Sequence, residues 1–377
     1  MIPPKKLYNL LQKHHIFFYT GVPDSLLKNL CAYITDHADE KHHVIAANEG
    51  GAVGLAAGHY LATGEIPVVY MQNSGIGNAV NPLLSLTDEA VYKIPILLII
   101  GWRGEPGVHD EPQHIKQGQL TIPLLDTMGI KHSILTDDEE KLAIQVNEAV
   151  DYIHSTGRTY ALVVRKGTFA EYKLKKNEPV PYSLSREETI QAVARTLPED
   201  AIIVSTTGKI SRELFEYRDA QKSGHAHDFL TVGSMGHASQ IALGIALSHP
   251  EHPVCCFDGD GAAIMHLGSL GITGQVHPEN YTHIVYNNGA HDSVGGQPTI
   301  GFQINLPKIA EAAGYRTAIS VETEEQLYKT LDVLPRLPKP AFIEIRVKKG
   351  SREDLGRPTT TPQENKEALM RFLSSPR

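Results

Sequence analysis

Cysteine and tryptophan are nearly absent from this chain, with three and one among 377 residues. The cysteines are Cys31, Cys255 and Cys256. An adjacent pair plus one distant thiol makes neither a disulfide framework nor a zinc set, so a reducing compartment, the cytoplasm, is expected. Long apolar runs are also missing. None reaches membrane-spanning length, and the start Met1-Ile2-Pro3-Pro4-Lys5-Lys6 has no apolar signal core. Positive charge is not in excess. A net charge of -8 argues against a general nucleic-acid binder. No Gly-x-Gly-x-x-Gly follows a first strand with an acid about 20 residues on, which argues against a dinucleotide site. Histidine is plentiful, yet His14-His15 and His42-His43 are not read as metal ligands. Neighbours on a strand point to opposite faces, so each pair reads as one surface and one core histidine.

What is present suits two α/β domains. Hydrophobic residues make up 41% and charged residues 21%, the balance of a globular protein, and the length allows two sizeable cores. Expected strands in the first half are His43 to Ala47, Pro67 to Met71, Pro95 to Ile100 and Tyr160 to Val164. Helical patterns fall between them, at Ser25 to Ile34 and Ala52 to Leu61. The second half repeats the style with Ala201 to Ser205, Phe229 to Val232, Pro253 to Phe257, Thr282 to Tyr286, Arg316 to Val321 and Pro340 to Val347. Such alternation predicts parallel sheets covered on both faces. Lys166 to Leu184 is rich in Lys, Pro and Tyr without a period. The expected division is a first domain over 1–168, a linker over 169–184 and a second domain over 185–377. Ser185-Arg186-Glu187-Glu188 resembles a capping box opening the second domain. The tail from Lys348 carries Pro358 and Pro362 and ends in a helix-like piece, which either packs on a partner subunit or stays free.

Two segments carry chemistry. Pro253 to Phe257 runs into Gly259-Asp260-Gly261, where glycine permits a tight turn and close approach to a ligand. Ala262 to Met265 then opens a helix, whose free N–H groups suit an anion. Asn287-Asn288 ends the next expected strand, with Asn288 28 positions after Asp260. Carboxylate, amide and carbonyl oxygens are hard ligands that suit magnesium. A lone Gly-Asp-Gly is otherwise an ordinary turn. The second segment is Ala46 to Gly58. Glu49 is expected at the end of a buried strand, before a run of Gly and Ala that allows close helix or subunit packing. A poorly solvated carboxyl there can share a proton. The other reading is a helix N-terminal glutamate stabilised by the dipole.

Taken together, Glu49 before a small-residue helix and Gly259-Asp260-Gly261 with Asn287-Asn288 resemble the thiamine diphosphate enzymes of the pyruvate decarboxylase type, across nearly the whole chain. Larger relatives carry a middle domain for which this chain has no room. The short form is similar to the branch acting on phosphono- and sulfopyruvate, as are Thr20 to Lys28, Gly101 to Gly107 with Asp110 to His114, and Gly233 to Ala238. The resemblance implies an α/β fold of two parallel-sheet domains, one for the pyrimidine ring and one for the diphosphate. It implies thiamine diphosphate and Mg2+ as cofactors. Asp260, Asn288 and the carbonyl of Ala290 match the metal ligands, and Glu49 matches the glutamate that hydrogen-bonds the pyrimidine nitrogen. Asn73, Thr207, Gly208, Gly233, Ser234, Met235, Gly259, Gly261 and Ala262 fall at the cofactor. Met235 matches the residue wedged between the two rings, although a methionine also fills core gaps. A dianionic substrate calls for cations or N–H groups. Candidates are Ser25, Arg103, His109, His114, Lys116 and Asp292, and candidates at the reacting carbon are Asp24, Ser25, His109, His114 and His291. Arg103 could instead pair with Glu105 or Asp110. Glu49 and Asp260 are implied to come from different subunits, making a homodimer the smallest working unit. Decarboxylation of 3-phosphonopyruvate to phosphonoacetaldehyde leads. Sulfopyruvate, a carboligase such as an acetolactate synthase, and a nucleotide-binding or non-catalytic protein are the alternatives.

Overall fold

A computed structural model describes residues 1–176 and 179–374. Asn177 and Glu178, within the expected linker, and Ser375 to Arg377, within the expected second domain, lie outside the described residues. The chain divides into two units. One is Met1–Glu178 with His291–Gln297, and the other is Pro179–Ala290 with Pro298–Arg377.

The first unit is built on β1 (Tyr19–Gly21), β2 (His43–Ile45), β3 (Val68–Gln72), β4 (Leu97–Gly101), β5 (Lys131–Ile134) and β6 (Tyr160–Val164). They form one sheet in the order β2-β1-β3-β4-β6-β5, with every pairing parallel. β4 and β6 are buried throughout because helices cover both faces. Successive residues divide between two cores. Val68, Tyr70, Leu97 and Ile99 face one, and Val69, Met71, Leu98 and Ile100 face the other. The sequence reading missed β1 and β5. β1 is three residues long, and β5 (Lys131-His132-Ser133-Ile134) is a polar strand at the sheet's edge. β2 is half-buried rather than buried and stops at Ile45, because it lies at the opposite edge. The expected linker is not slack where it begins. Phe169 enters the first unit's core, and the Tyr172 hydroxyl donates to Asp36 Oδ2 at 2.9 Å.

The second unit is built on β7 (Ile202–Ser205), β8 (Asp228–Leu230), β9 (Val254–Gly259), β10 (Tyr281–Asn287), β11 (Thr317–Val321) and β12 (Ala341–Arg346). Their order is β11-β12-β10-β9-β7-β8, again parallel. Ser185 caps the helix Arg186–Thr196 by accepting from Glu188 N, as the capping box predicts. The tail forms a helix over Pro362–Ser374 that docks on its own unit. Asn365 Oδ1 accepts from Leu230 N at 3.0 Å, and its Nδ2 donates to Asp228 O at 2.8 Å. One side chain thereby occupies backbone groups that the edge strand β8 would otherwise leave open. The three cysteines are free and buried: Cys31 in the first unit's core, and Cys255 and Cys256 on opposite faces of β9. Among the described residues, no helix is long and apolar enough to cross a membrane.

Candidate active site

Open parallel sheets bind ligands at the carboxyl ends of their strands, where the strand order reverses. In the first unit β1 has β2 on one side and β3 on the other. The segments leaving β1, β2, β3 and β4 carry Asp24-Ser25, Glu49, Asn73 and Arg103 respectively.

Glu49 is the first residue of the helix Glu49–Thr63, not the end of a strand. Asn48 caps that helix by accepting from Gly51 N at 2.8 Å. Glu49 is nevertheless 6% exposed, and Asn78 Nδ2 donates to its Oε2 at 2.7 Å. Gly75 closes the cradle from the turn after β3, since a Cβ there would run into the Glu49 carboxylate. Neither Asn78 nor Gly75 was found by sequence reasoning. The signal available was the small, amide-rich turn Asn73-Ser74-Gly75-Ile76-Gly77-Asn78 directly after a buried strand.

Arg103 is held from three sides. Its Nε donates to Asp110 Oδ2 at 2.8 Å, Nη2 donates to Asp110 Oδ1, and Nη1 donates to Ser25 Oγ at 2.7 Å. Asp110 also accepts from Gly104 N and Glu111 N at 2.8 Å each, so one carboxylate organises the loop. Glu105 pairs instead with Arg165. The hydrogen bond from Arg103, with desolvation opposing it, keeps Asp110 below the usual carboxylate range. Asp24 lies inside the fold. It is 0% exposed, and its Oδ2 accepts from Leu26 N at 2.9 Å and Leu27 N at 3.2 Å. Burial pushes its carboxyl up to about 6, against the pull of those N–H groups and Arg103. Asn73 is likewise committed inside the fold, because a buried amide must find partners there. Its Nδ2 donates to Arg103 O and Thr121 Oγ1, and its Oδ1 accepts from Arg103 N. His114 is buried and pushed down to about 4 by desolvation and by Arg103, so it is neutral and adds no positive charge. His109 and Lys116 are exposed. His291 and Asp292 are half-buried, and burial pushes the His291 imidazole down to about 4.

In the second unit the reversal falls at β7, which lies between β8 and β9. β9 ends at Gly259, and Asp260 opens the short helix Asp260–Met265. Asp260 is 3% exposed. Burial raises its carboxyl to about 6, and hydrogen bonds from the Thr299 hydroxyl and from backbone N–H groups pull it back down. Asn288 follows β10, and its Oδ1 accepts from Ala290 N at 3.0 Å. Asn287 is buried, donating to Gly301 O at 2.8 Å and accepting from Gly289 N at 3.0 Å. The loop after β8 turns sharply, with φ +73° at Gly233, +46° at Ser234 and +86° at Gly236. A left-handed serine is uncommon and marks a held conformation. Gly233 N donates to Thr207 Oγ1 at 3.2 Å, tying this loop to the Thr207-Gly208 turn after β7. Met235 is half-buried and belongs to no core cluster, so it is not a gap-filler. Ala262 is buried and offers only its backbone.

These residues fit a thiamine diphosphate with its cation. A buried carboxyl raised by desolvation gains from a divalent ion; the Thr299 hydroxyl and the Asn288 backbone N–H contact it, and the loop after β10 adds an amide oxygen at Asn288 and a carbonyl at Ala290. The Glu49 cradle provides a second buried carboxyl for a ring nitrogen.

Residues 5–128 match the family described as thiamine pyrophosphate enzyme, N-terminal TPP binding domain, and residues 206–345 match its C-terminal TPP binding domain. The chain belongs to the thiamine pyrophosphate enzymes. It is 36% identical to a phosphonopyruvate decarboxylase of Streptomyces viridochromogenes, covering 94% of this chain and 91% of that one. Identity is 34% to the enzyme of the same name from Streptomyces hygroscopicus, over 94% and 90%. It is 28% to a sulfopyruvate decarboxylase of Methanosarcina acetivorans, over 98% and 96%. Thiamine diphosphate is the cofactor of this family.

Proposed function

We propose that the chain decarboxylates 3-phosphonopyruvate to phosphonoacetaldehyde and carbon dioxide, with thiamine diphosphate and Mg2+. The observation that carries this reading is the similarity to phosphonopyruvate decarboxylases over 94% of the chain, together with Glu49 and Asp260 at the carboxyl edges of their sheets. Asp260, Asn288 and the Ala290 carbonyl would hold the magnesium. Thr207-Gly208 and the N–H groups after Gly259 would meet the diphosphate. Met235 would pack between the rings, with the Gly233 carbonyl accepting from the ring amino group, and Glu49 would share a proton with the pyrimidine nitrogen. When bound, the cofactor supplies the electron sink for loss of carbon dioxide. The protein binds, orients, excludes water and moves protons. Ser25 and Arg103 are the proposed contacts of the anionic tail, with His109, Lys116 and Asp292 at the entrance and His291 near the reacting carbon.

The homodimer is part of the proposal. The helix Glu49–Thr63 leaves Gly51, Gly54, Gly58, Leu55 (42%) and Leu61 (73%) exposed. Nothing lies within 4 Å of a Cβ added at Gly54 or Gly58, so a second subunit can approach closely. The three unpaired thiols suit a reducing cytoplasm.

One observation favours a second reading, sulfopyruvate. Arg103 is already paired with Asp110 and His114 is neutral, so this loop has less free positive charge than its sequence implies. A sulfonate, with one negative charge fewer, needs less. Carbon dioxide release from 3-phosphonopyruvate, sulfopyruvate and pyruvate, with cofactor and Mg2+ added, decides. The highest kcat/KM is expected for phosphonopyruvate. A higher value for sulfopyruvate selects the second reading, and release from none of the three removes both.

A further inference from the structure

The loop 288–301, which carries Asn288 and the Ala290 carbonyl, is gripped at both ends by one buried amide. Asn287 is 0% exposed. Its Oδ1 accepts from Gly289 N at the start of the loop, and its Nδ2 donates to Gly301 O at the end. Gly301 is packed closely, since a Cβ there would lie 2.6 Å from both Asn287 Oδ1 and Asp260 Oδ2. Which way the Asn287 amide faces therefore sets how the loop meets Asp260.

A second buried residue reinforces the orientation that Gly289 N and Gly301 O demand. Glu344 on β12 is 0% exposed. Its Oε1 accepts from Asn287 Nδ2 at 2.6 Å. A carboxylate only accepts, so the NH2 of Asn287 must face it and the amide oxygen must face Gly289. Glu344 is itself anchored on its other oxygen. Ser320 Oγ, directly opposite on β11, donates to Oε2 at 3.0 Å, and Arg346 Nε lies 3.3 Å from it. Arg346 Nη1 in turn donates to Tyr182 Oη at 2.7 Å. Phe302 packs beside Tyr182 and would meet a Cβ on Gly289 at 2.5 Å, closing the loop from its outer side.

We propose that Glu344 is a positioning residue of the cation site: held by Ser320 across the sheet and by Arg346 two residues along its own strand, it helps orient the Asn287 amide and so sets the spacing of Asp260, Asn288 and the Ala290 carbonyl. The inference rests on the reading that Asp260 and Asn288 hold the cation. Groups that orient metal ligands are worth about 10- to 100-fold in metal affinity.

The test uses the full chain with thiamine diphosphate and titrates Mn2+, following free Mn2+ by electron paramagnetic resonance. Glu344→Ala should weaken Mn2+ binding by about 10- to 100-fold, with activity returning at excess Mn2+. Glu344→Gln, nearly isosteric, should fold and lose several-fold, because an amide accepts more weakly than a carboxylate and can present a donor to the Asn287 NH2. Asp260→Ala should lose binding altogether. If Asp260→Ala loses binding while Glu344→Gln stays within about twofold of the parent, the positioning role is wrong and the cation site stands. If Asp260→Ala binds like the parent, the cation site and the positioning role fall together.

Discussion

Asp24 has the environment of a group that folding makes costly to ionise. Its carboxyl is raised from an ordinary value of 3.8 to about 6 by burial. The folded chain therefore holds the proton more tightly than the unfolded chain between those two values. Stability falls as pH rises through that window, and the cost is fully present above pH 6. Asp24→Asn removes the ionisation, and its carbonyl oxygen can still accept from Leu26 N and Leu27 N. Relative to this variant, the parent should lose on the order of 3 kcal/mol between pH 4 and pH 7. Urea midpoints measured across that range check it, and a difference that does not change with pH would contradict the assignment. Asp24, Asn73 and Arg103 also mark where reading side chains from the sequence stops. The Gly-x-Pro turn located Asp24, and the loop after β4 located Arg103 with Asp110 as one candidate partner, whereas the partners of Asp24 and of Asn73, which follows β3, were not read. Arg103 finds Ser25, and Asn73 finds the Arg103 backbone, through contacts between loops that no period encodes.

At the scale of elements, the turn after β3 shapes the site through what it lacks. Gly75 has φ -74°, which any residue adopts, so the nearest obstacle to an added methyl is the Glu49 side chain. Gly75→Ala should therefore leave the fold intact and displace Glu49. Turnover should drop by about 100-fold or more, the usual scale for a displaced proton-handling group, with a circular dichroism spectrum like the parent's. Normal turnover would mean that Glu49 has room to move. Buried parallel strands such as β4, β6 and β10 were legible because a short apolar run between turn signals is what a strand covered on both faces requires. β1 and β5 were not, being too short or too polar to stand out. The docking of the final helix through Asn365 was equally hidden, since one asparagine in a tail carries no periodic signal.

For the whole molecule, the proposed sharing of one cofactor between subunits has a quantitative signature. Glu49→Gln and Asp260→Ala should each be inactive alone. If each site takes Glu49 from one subunit and Asp260 from the other, a mixed dimer has one site with both residues intact and one with neither. Unfolding and refolding the two variants together should then restore about a quarter of the parent activity, because half of random pairs are mixed and each keeps one whole site. No recovery would place both residues on one chain's site.

The buried thiols give the chain a built-in clock. Burial pushes Cys31, Cys255 and Cys256 up, Cys255 to about 11, and a thiol that stays protonated and covered barely reacts. Alkylating reagents should leave the native protein untouched and mark each sulfur only when its surroundings open. Cys31 times the first unit and the β9 pair times the second. Pulsed alkylation read by peptide mass would thus reveal whether the two halves come apart as one cooperative event or in sequence, without any reporter being engineered in.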